Sequence, residues 1–286
     1  MTDNSIDDRP GGDPQRAHCV VADNPGSLTL DGTNTWILAE PGAGRCVVVD
    51  PGPADPDHLS AVLTAMTELG VTPALAVVTH RHPDHTGNVD AFSEATGAPV
   101  RALDPAWCRG TVPFVDGDWF DVGGMVVEVM ATPGHTSDSL SLFVPVDGSL
   151  VTGDTVLGRG TALVAHPDGR LDEYLSSLNR LRSVAAAGNA IRLLPGHGPQ
   201  LDEPLRVLDV LLAHREDRLE QVQAAMAAGA TDVAAIADAV YGMPGPGLRE
   251  AVDAQVKAQL VYLSGRGVLR AGEALVRSAE ASAPDV

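Results

Sequence analysis

The sequence feature that most restricts the fold is a group of metal-ligand side chains directly after a strand pattern. An apolar run leads into three histidines and one aspartate within six residues. Pro83 holds the preceding residue, His82, in an extended conformation, so a helical turn can start only after it. On extended chain, His80 and His82 point the same way. Asp84 and His85 then diverge toward a neighbouring point, a geometry that suits two adjacent cations.

Three more candidate ligands occupy the same kind of position elsewhere in the chain. His135 lies in ATPGHTSDS after an apolar run, Asp154 ends SLVTGD, and His197 lies in LLPGHGP. Each is flanked by glycine, which lets the backbone come close to a site. Because residues at the ends of several strands meet at one edge of a sheet, we expect these side chains to converge.

Short apolar runs separated by Gly, Pro and Asp predict β-strands over most of the chain. Several runs are almost wholly apolar, which is typical of strands covered on both faces. The predicted strands are 35–38, 46–50, 75–79, 125–130, 139–144, 149–154 and 191–196. Amphipathic helices are predicted over 56–69 and 172–187, the second with Asp172 as its N-cap. Mixed strands and helices indicate a layered α/β fold.

Three consecutive helices are predicted after about residue 203. The first covers 204–228, the second starts after Thr231 as its cap, and the third covers 248–264. A short strand at 268–271 would complete the order of elements found in a small winged-helix module.

Taken in order, the HRHPDH motif and the later PGHT, GD and PGHG segments resemble the metallo-β-lactamase-fold hydrolase superfamily over residues 18–203. The resemblance implies a four-layer αββα sandwich that binds two zinc ions, with manganese or iron as alternatives at a His/Asp site. GTNTW (32–36) resembles the family's opening strands. The implied ligands are His80, His82 and His135 for one metal, Asp84, His85 and His197 for the other, and Asp154 as the bridge.

The helices after residue 203 resemble the branch of this superfamily that contains beta-lactamase-like protein two and glyoxalase II. The predicted domains are a flexible N-terminal arm (1–17), a catalytic domain (18–203), a winged-helix-like domain (204–272) and a flexible tail (273–286).

Four residues are predicted around the metals, either supporting the ligands or contacting substrate. Asp50 is expected to support the metal loop, with a turn-forming role before a proline as the alternative. Arg81, His166 and Tyr174 are candidate substrate contacts, with ordinary loop or helix roles as the alternative.

The implied chemistry is hydrolysis by a metal-bound hydroxide, which two nearby metals generate at neutral pH. Asp84 is the candidate catalytic proton carrier, and no serine or cysteine nucleophile is needed. The predicted substrate is a small thioester, lactone or other ester. A metal-dependent endoribonuclease and a non-enzymatic winged-helix regulator remain as alternatives.

The net charge of the chain ranks the ester hydrolase above the ribonuclease and the regulator. The chain has 19 Lys and Arg against 38 Asp and Glu, a net charge of −19. Residues 203–272 contain seven basic and nine acidic side chains, a net of −2. Phosphate binding needs a basic surface, so the negative charge disfavours a nucleic-acid partner without excluding it. The same charge disfavours binding to an anionic membrane.

The remaining composition predicts a cytoplasmic protein. Cys19, Cys46 and Cys108 form no CxxC pair, so we expect reduced thiols. We see neither a signal-peptide pattern nor a transmembrane run, and we make no prediction of oligomeric state. His58 and His214 are expected at the surface.

Overall fold

Two facing β-sheets form the centre of the molecule in a computed structural model that describes residues 16–243 and 245–267. The first sheet has the order β1-β2-β3-β4-β5. Its strands are β1 (Ala17–Val21), β2 (Asn34–Ala39), β3 (Arg45–Val49), β4 (Thr72–Val77) and β5 (Val100–Arg101). The second has the order β11-β10-β9-β8-β7-β6. Its strands are β6 (Trp119–Val122), β7 (Met125–Ala131), β8 (Leu140–Val144), β9 (Ser149–Gly153), β10 (Arg192–Pro195) and β11 (Leu201–Asp202).

Helices cover the outer face of each sheet. The described helices are α1 (Pro56–Glu68), α2 (Pro83–Thr86), α3 (Val89–Thr96), α4 (Leu171–Ala186), α5 (Pro204–Ala227), α6 (Val233–Tyr241), α7 (Pro246–Gly265) and a 3₁₀ turn (Pro105–Trp107). Helices α1 and α3 share a buried cluster with the first sheet. Helices α4 to α7 share another with the second sheet.

Strand periodicity explains the layers. Side chains alternate between the faces of a strand, so Trp36 and Leu38 enter the core between the sheets while Ile37 enters the core under α1 and α3. In the second sheet, Val151 faces the first sheet and Leu150 faces the helices. The predicted αββα sandwich is therefore confirmed.

Strand direction brings the ends of several strands to the same edge. Strands β3 and β4 are parallel, as are β9 and β10. Strand β7 runs with β9, because both are antiparallel to β8. The two sheets come close at this edge, where the Leu140 N–H donates to the Thr79 carbonyl at 2.8 Å. The residues that follow β4, β7, β9 and β10 therefore face a common space.

Several predicted boundaries need correction. Helix α4 begins at Leu171 with Arg170 as its N-cap, not Asp172. Asp232, not Thr231, caps α6, because its carboxylate accepts the N–H of Ala235.

The start of the folded chain is also earlier than predicted. Arg16 pairs with Glu40 at 2.7 Å, and β1 begins at Ala17, so neither residue belongs to a free arm. Strand β1 is a half-exposed edge strand, and its mixed pattern hides it in the sequence.

The three helices predicted after residue 203 are present as α5, α6 and α7. The strand predicted at 268–271, the tail at 273–286 and residues 1–15 of the arm lie outside the described residues. A winged-helix module therefore stays a prediction. Within residues 16–243 and 245–267, no helix has the length and apolar content needed to cross a bilayer.

Candidate metal centre

The metal loop follows β4 and turns sharply at a proline. The His82 backbone is extended, with φ −62° and ψ 142°, and Pro83 begins the four-residue helix α2. Because the backbone turns between them, the pair His80 and His82 and the pair Asp84 and His85 point in different directions. His80 and His85 are almost fully buried, so the loop closes the edge of the sandwich.

One group of inward-facing ligand atoms contains three imidazoles and a carboxylate. His82 Nδ1 lies 2.9 Å from His80 Nε2 and 3.0 Å from His135 Nε2. Asp154 Oδ2 lies 3.9 Å from His80 Nε2 and 3.7 Å from His135 Nε2. The loop after β4 and the ends of β7 and β9 thus supply one compact set of donors.

A second group lies beside the first. Asp84 Oδ2 is 3.3 Å from His85 Nε2 and 3.2 Å from His197 Nε2, and the two nitrogens are 3.3 Å apart. Asp154 reaches this group as well, with Oδ2 at 3.3 Å from His197 Nε2 and Oδ1 at 3.6 Å from His85 Nε2. Asp154 therefore stands between the two groups.

These separations match what a metal ion requires. Metal–ligand bonds of about 2.0–2.2 Å place the ligand atoms of a tetrahedral site about 3.3–3.6 Å apart. The nearest contacts among the inward atoms are 2.9–3.9 Å long, which brackets that value, and all atoms of each group lie within 4.8 Å of one another.

The outer nitrogens show which inner atoms carry lone pairs. Nδ1 of His85, His135 and His197 faces, respectively, a carboxylate oxygen of Asp50 at 2.8 Å and the carbonyls of Leu163 at 2.6 Å and Gly32 at 3.0 Å. Such oxygens only accept, so Nδ1 carries a proton in each ring and Nε2 is the nitrogen left to bind a metal. The outer hydrogen bonds thus prepare all three rings to bind a cation.

The His80 ring also carries a proton on its outer nitrogen, Nδ1. The Thr79 hydroxyl donates to Asp50 Oδ2 at 2.7 Å, so its oxygen accepts from His80 Nδ1 at 3.0 Å. Inner nitrogens of neighbouring rings lie 3.0 Å apart in the first group and 3.3 Å apart in the second, a spacing at which one cation can bind both. In addition, Asp154 Oδ1 is buried and accepts no hydrogen bond among the described residues. The donor set fits metal ions.

Burial in the first group keeps the imidazoles of His80 and His82 neutral. Burial lowers the pKa of His80 well below its ordinary value. Burial and the neighbouring His135 ring lower the pKa of His82 to about 4. Neutral imidazole is the form that binds a metal.

The second group has a strongly negative potential. Burial alone would raise the pKa values of Asp84 and Asp154, but the rings of His85 and His197 hold both well below their usual range. Burial alone would likewise lower the pKa of His197, but the same two carboxylates raise it to about 9. Ionised carboxylates that attract positive charge are suited to a divalent cation.

Asp50 supports the loop that carries the candidate ligands after β4. It is buried, and its carboxylate accepts the Thr79 N–H at 2.7 Å, the Thr79 hydroxyl at 2.7 Å and His85 Nδ1–H at 2.8 Å. Its φ of 54° lies in the left-handed region, which costs a non-glycine residue about 1–3 kcal/mol. Three hydrogen bonds hold the residue in that conformation.

Substitution of Asp50 by asparagine is expected to weaken metal binding by about 10–100-fold. An amide group keeps one acceptor oxygen and places a donor against either Thr79 or His85, so the orientation of the His85 ring is lost. Competition with a chromogenic chelator measures the affinity. Asp57→Asn, an exposed change on α1, is the matched control, and equal affinities for the two variants would contradict this role.

The other predicted neighbours take separate positions. Arg81 forms an ion pair with Asp168 at the rim of the centre. The His166 N–H donates to the Ala254 carbonyl at 3.2 Å. Tyr174 is buried, and its hydroxyl donates at 2.8 Å to the carbonyl of the residue after Asp154, so it contacts the ligand loop and not the ligand atoms.

Two supporting side chains were not predicted from the sequence. The Thr33 hydroxyl donates to Asp84 Oδ2 at 3.0 Å and accepts from the Asn24 amide at 3.0 Å. The GTNTW segment was the available signal for Thr33, because it resembles the family's first strands.

His58 was expected at the surface, and that prediction was wrong. The ring is buried, with Nε2 2.8 Å from the hydroxyl oxygen of Thr35, and that hydroxyl donates to the Asp50 carbonyl at 2.6 Å. Gly52 makes room for it, because a Cβ there would lie 2.3 Å from the ring. His58 therefore supports the turn that carries Asp50.

Comparison with known proteins places these features in a wider group. The family model described as "Metallo-beta-lactamase superfamily" matches residues 28–197. A "Beta-lactamase-like protein 2 homolog" from Caenorhabditis elegans is 31% identical over 212 residues, 71% of this chain and 68% of that protein. An "Atrochrysone carboxyl ACP thioesterase" from Aspergillus fumigatus is 33% identical over 241 residues, 78% of this chain and 72% of that protein.

A solved structure extends the likeness beyond the sandwich. A beta-lactamase domain protein from Burkholderia ambifaria matches with a TM-score of 0.75 at 22% identity, covering 88% of this chain and 86% of that chain. Since the sandwich ends at β11, this coverage reaches into the C-terminal helices.

Proposed function

Because this chain belongs to the metallo-beta-lactamase superfamily and is a metal-dependent hydrolase, we propose that it hydrolyses a small thioester, lactone or other ester. The observation that carries the reaction type is the paired ligand groups, in which the outer nitrogens of four rings donate to fixed acceptors: His80, His85, His135 and His197. The relative named as a thioesterase, 33% identical over 78% of this chain, supports the substrate class.

We further propose zinc as the metal, with manganese or iron as alternatives that a His/Asp set also accepts. His80, His82 and His135 would hold one ion, Asp84, His85 and His197 the other, and Asp154 would contact both. Bound ions supply Lewis acidity, which lowers the pKa of water toward 7 and polarises a carbonyl oxygen.

The chain's own residues would manage the proton. Asp84 is more exposed than Asp154, so it is the carboxylate that attacking water can reach and the candidate acceptor of its proton. Thr33 fixes one of its oxygens. Overall, the water oxygen joins the acyl carbon, the C–S or C–O bond breaks, and the thiol or alcohol leaves with a proton.

A small substrate fits the charge distribution better than a polynucleotide. The arginines of α5 to α7 contact other parts of the chain: Arg206 pairs with Glu203 at 3.0 Å, Arg249 pairs with Asp253 at 3.1 Å, and Arg218 donates to the Val240 carbonyl at 2.9 Å. A basic face for phosphates is therefore not formed by these side chains. We also propose a cytoplasmic location, since all three cysteines are free thiols.

A substrate screen tests this function. The metal-loaded chain is expected to cleave at least one member of a thioester and lactone panel about 100-fold faster than the chelated chain, a difference of about 3 kcal/mol. Single-stranded RNA, duplex DNA in filter binding at low salt, and a chromogenic cephalosporin serve as comparisons. Cleavage of RNA with no turnover in the ester panel would favour the ribonuclease, whereas metal-independent DNA retention would favour the regulator.

A further inference from the structure

A buried arginine joins the C-terminal helices to the metal centre. Arg215 lies on α5 with 2% of its surface exposed. Its guanidinium carbon stands 4.7 Å from the centre of the Tyr174 ring, and an Nη hydrogen is donated to the Ala162 carbonyl. Tyr174 and Ala162 both belong to the sandwich, whereas Arg215 belongs to the C-terminal helices. The Arg215 side chain therefore connects these two parts of the molecule.

The charge of Arg215 is unusual for its position. Among residues 16–243 and 245–267, no carboxylate lies within ion-pair distance of it, and its buried Nε has no hydrogen-bond partner. Burying a charge without an ionic partner costs several kcal/mol, and an apolar side chain of similar volume would be at least as stable. Stability therefore does not explain an arginine here.

The Ala162 contact leads directly to a candidate ligand. The next residue, Leu163, accepts the His135 Nδ1–H at 2.6 Å. The following loop residues are tied to α7: the Val164 N–H donates to the Gln255 side chain at 3.4 Å, and the His166 N–H donates to a helix carbonyl at 3.2 Å. The C-terminal helices thus fix this loop on both sides of the carbonyl that orients His135.

The Tyr174 contact leads to a second candidate ligand. The Tyr174 hydroxyl donates to the carbonyl of Thr155 at 2.8 Å, directly after Asp154. Gly134 lies against the same tyrosine, because a Cβ there would be 2.2 Å from the Tyr174 nitrogen. The guanidinium on the tyrosine ring therefore limits the movement of the segments that carry both Asp154 and His135.

We propose that Arg215 is a positioning residue of the metal centre, which acts through the Ala162–Leu163 segment on His135 and through Tyr174 on Asp154. The C-terminal helices are then part of the metal-binding apparatus. The proposal rests on the proposed function in one respect, that the group containing His135 and Asp154 binds a metal ion. It does not depend on which ester is cleaved.

Two variants of the full chain test this role. Arg215→Met is expected to weaken the binding of one of two zinc or cobalt ions by about tenfold or more in chelator competition, comparable to the loss of an outer hydrogen bond. The visible spectrum of the cobalt-loaded protein should change with it. The melting temperature should be unchanged or higher, because an apolar side chain replaces an unpaired buried charge. Arg215→Lys keeps a donor for Ala162 and should fall between methionine and wild type.

Leu208→Ala supplies the matched control. Leu208 is fully buried on the same helix, two turns before Arg215, and its side chain cannot hydrogen-bond to the loop. This variant should lower the melting temperature and leave metal affinity within about twofold of wild type. Wild-type affinity in Arg215→Met, or an equal loss of affinity in Leu208→Ala, would overturn the positioning role alone. A wild-type chain that binds no metal would overturn the proposed function together with it.

Discussion

Substitution of Asp154 by asparagine should abolish binding of the metal pair and lower kcat/KM for ester hydrolysis at least about a thousandfold, or about 4 kcal/mol. Asp154 approaches both groups, with Oδ2 3.7 Å from His135 Nε2 and 3.3 Å from His197 Nε2. An amide removes the negative charge and turns donor hydrogens toward a cation. Because the buried Oδ1 has no hydrogen-bond partner among the described residues, the change breaks no hydrogen bond made by that atom.

Metal content by elemental analysis and initial rates on the best ester substrate check this expectation. Asp172→Asn, an exposed change at the start of α4, should leave both values unchanged. If the Asp154 variant retained two metals and more than a tenth of the activity, Asp154 would not bridge the groups.

The clustering of the candidate ligands could be predicted because local rules govern their positions. An extended residue before Pro83 and a two-residue spacing between His80 and His82 fix their directions without knowledge of the rest of the fold. The strand-end positions of His135 and His197 follow from the tendency of such ends to share one sheet edge. Each of these signals lies within a few residues of the side chain that it concerns.

The supporting contacts could not be predicted, because their partners are distant in sequence. The acceptors for His135 and His197 are the carbonyls of Leu163 and Gly32, and a backbone carbonyl has no residue-type signal. His58 was misplaced for the same reason, since its burial depends on a missing side chain at Gly52. The interactions that set ring orientation are tertiary, whereas the candidate ligands are indicated by residues close to them in the sequence.

The candidate metal centre, like the chain as a whole, is rich in carboxylates. Asp84, Asp154 and Asp50 place three carboxylates on or directly beside the candidate ligand rings, whereas two divalent ions would carry four positive charges. The occupied centre would then hold about one net positive charge inside a chain of net charge −19. A small carbonyl compound or anion can bind such a site while a polyanion is repelled by the surrounding surface.

Substitution of Gly196 by alanine is expected to weaken metal binding by more than about 100-fold, although it adds one methyl group. The added Cβ would lie 2.3 Å from Asp154 Oδ1 and 2.9 Å from His85 Cε1. The backbone cannot retreat, because the Gly196 N–H donates to the Gly153 carbonyl at 2.9 Å and its own carbonyl accepts from a strand β2 N–H at 2.8 Å. The methyl group must therefore displace the Asp154 carboxylate.

Gly247→Ala is the control for the same chemical change. Gly247 lies in α7 with open space where a Cβ would stand, so alanine should be neutral or slightly stabilising there. Neither glycine has the left-handed φ at which any side chain would strain the backbone, so the contrast between the two variants isolates the contact with Asp154. Chelator competition and melting temperature measured on both variants decide the matter. Equal metal affinity in the two would show that the carboxylate can move without loss, and the bridging position of Asp154 would then have to be abandoned.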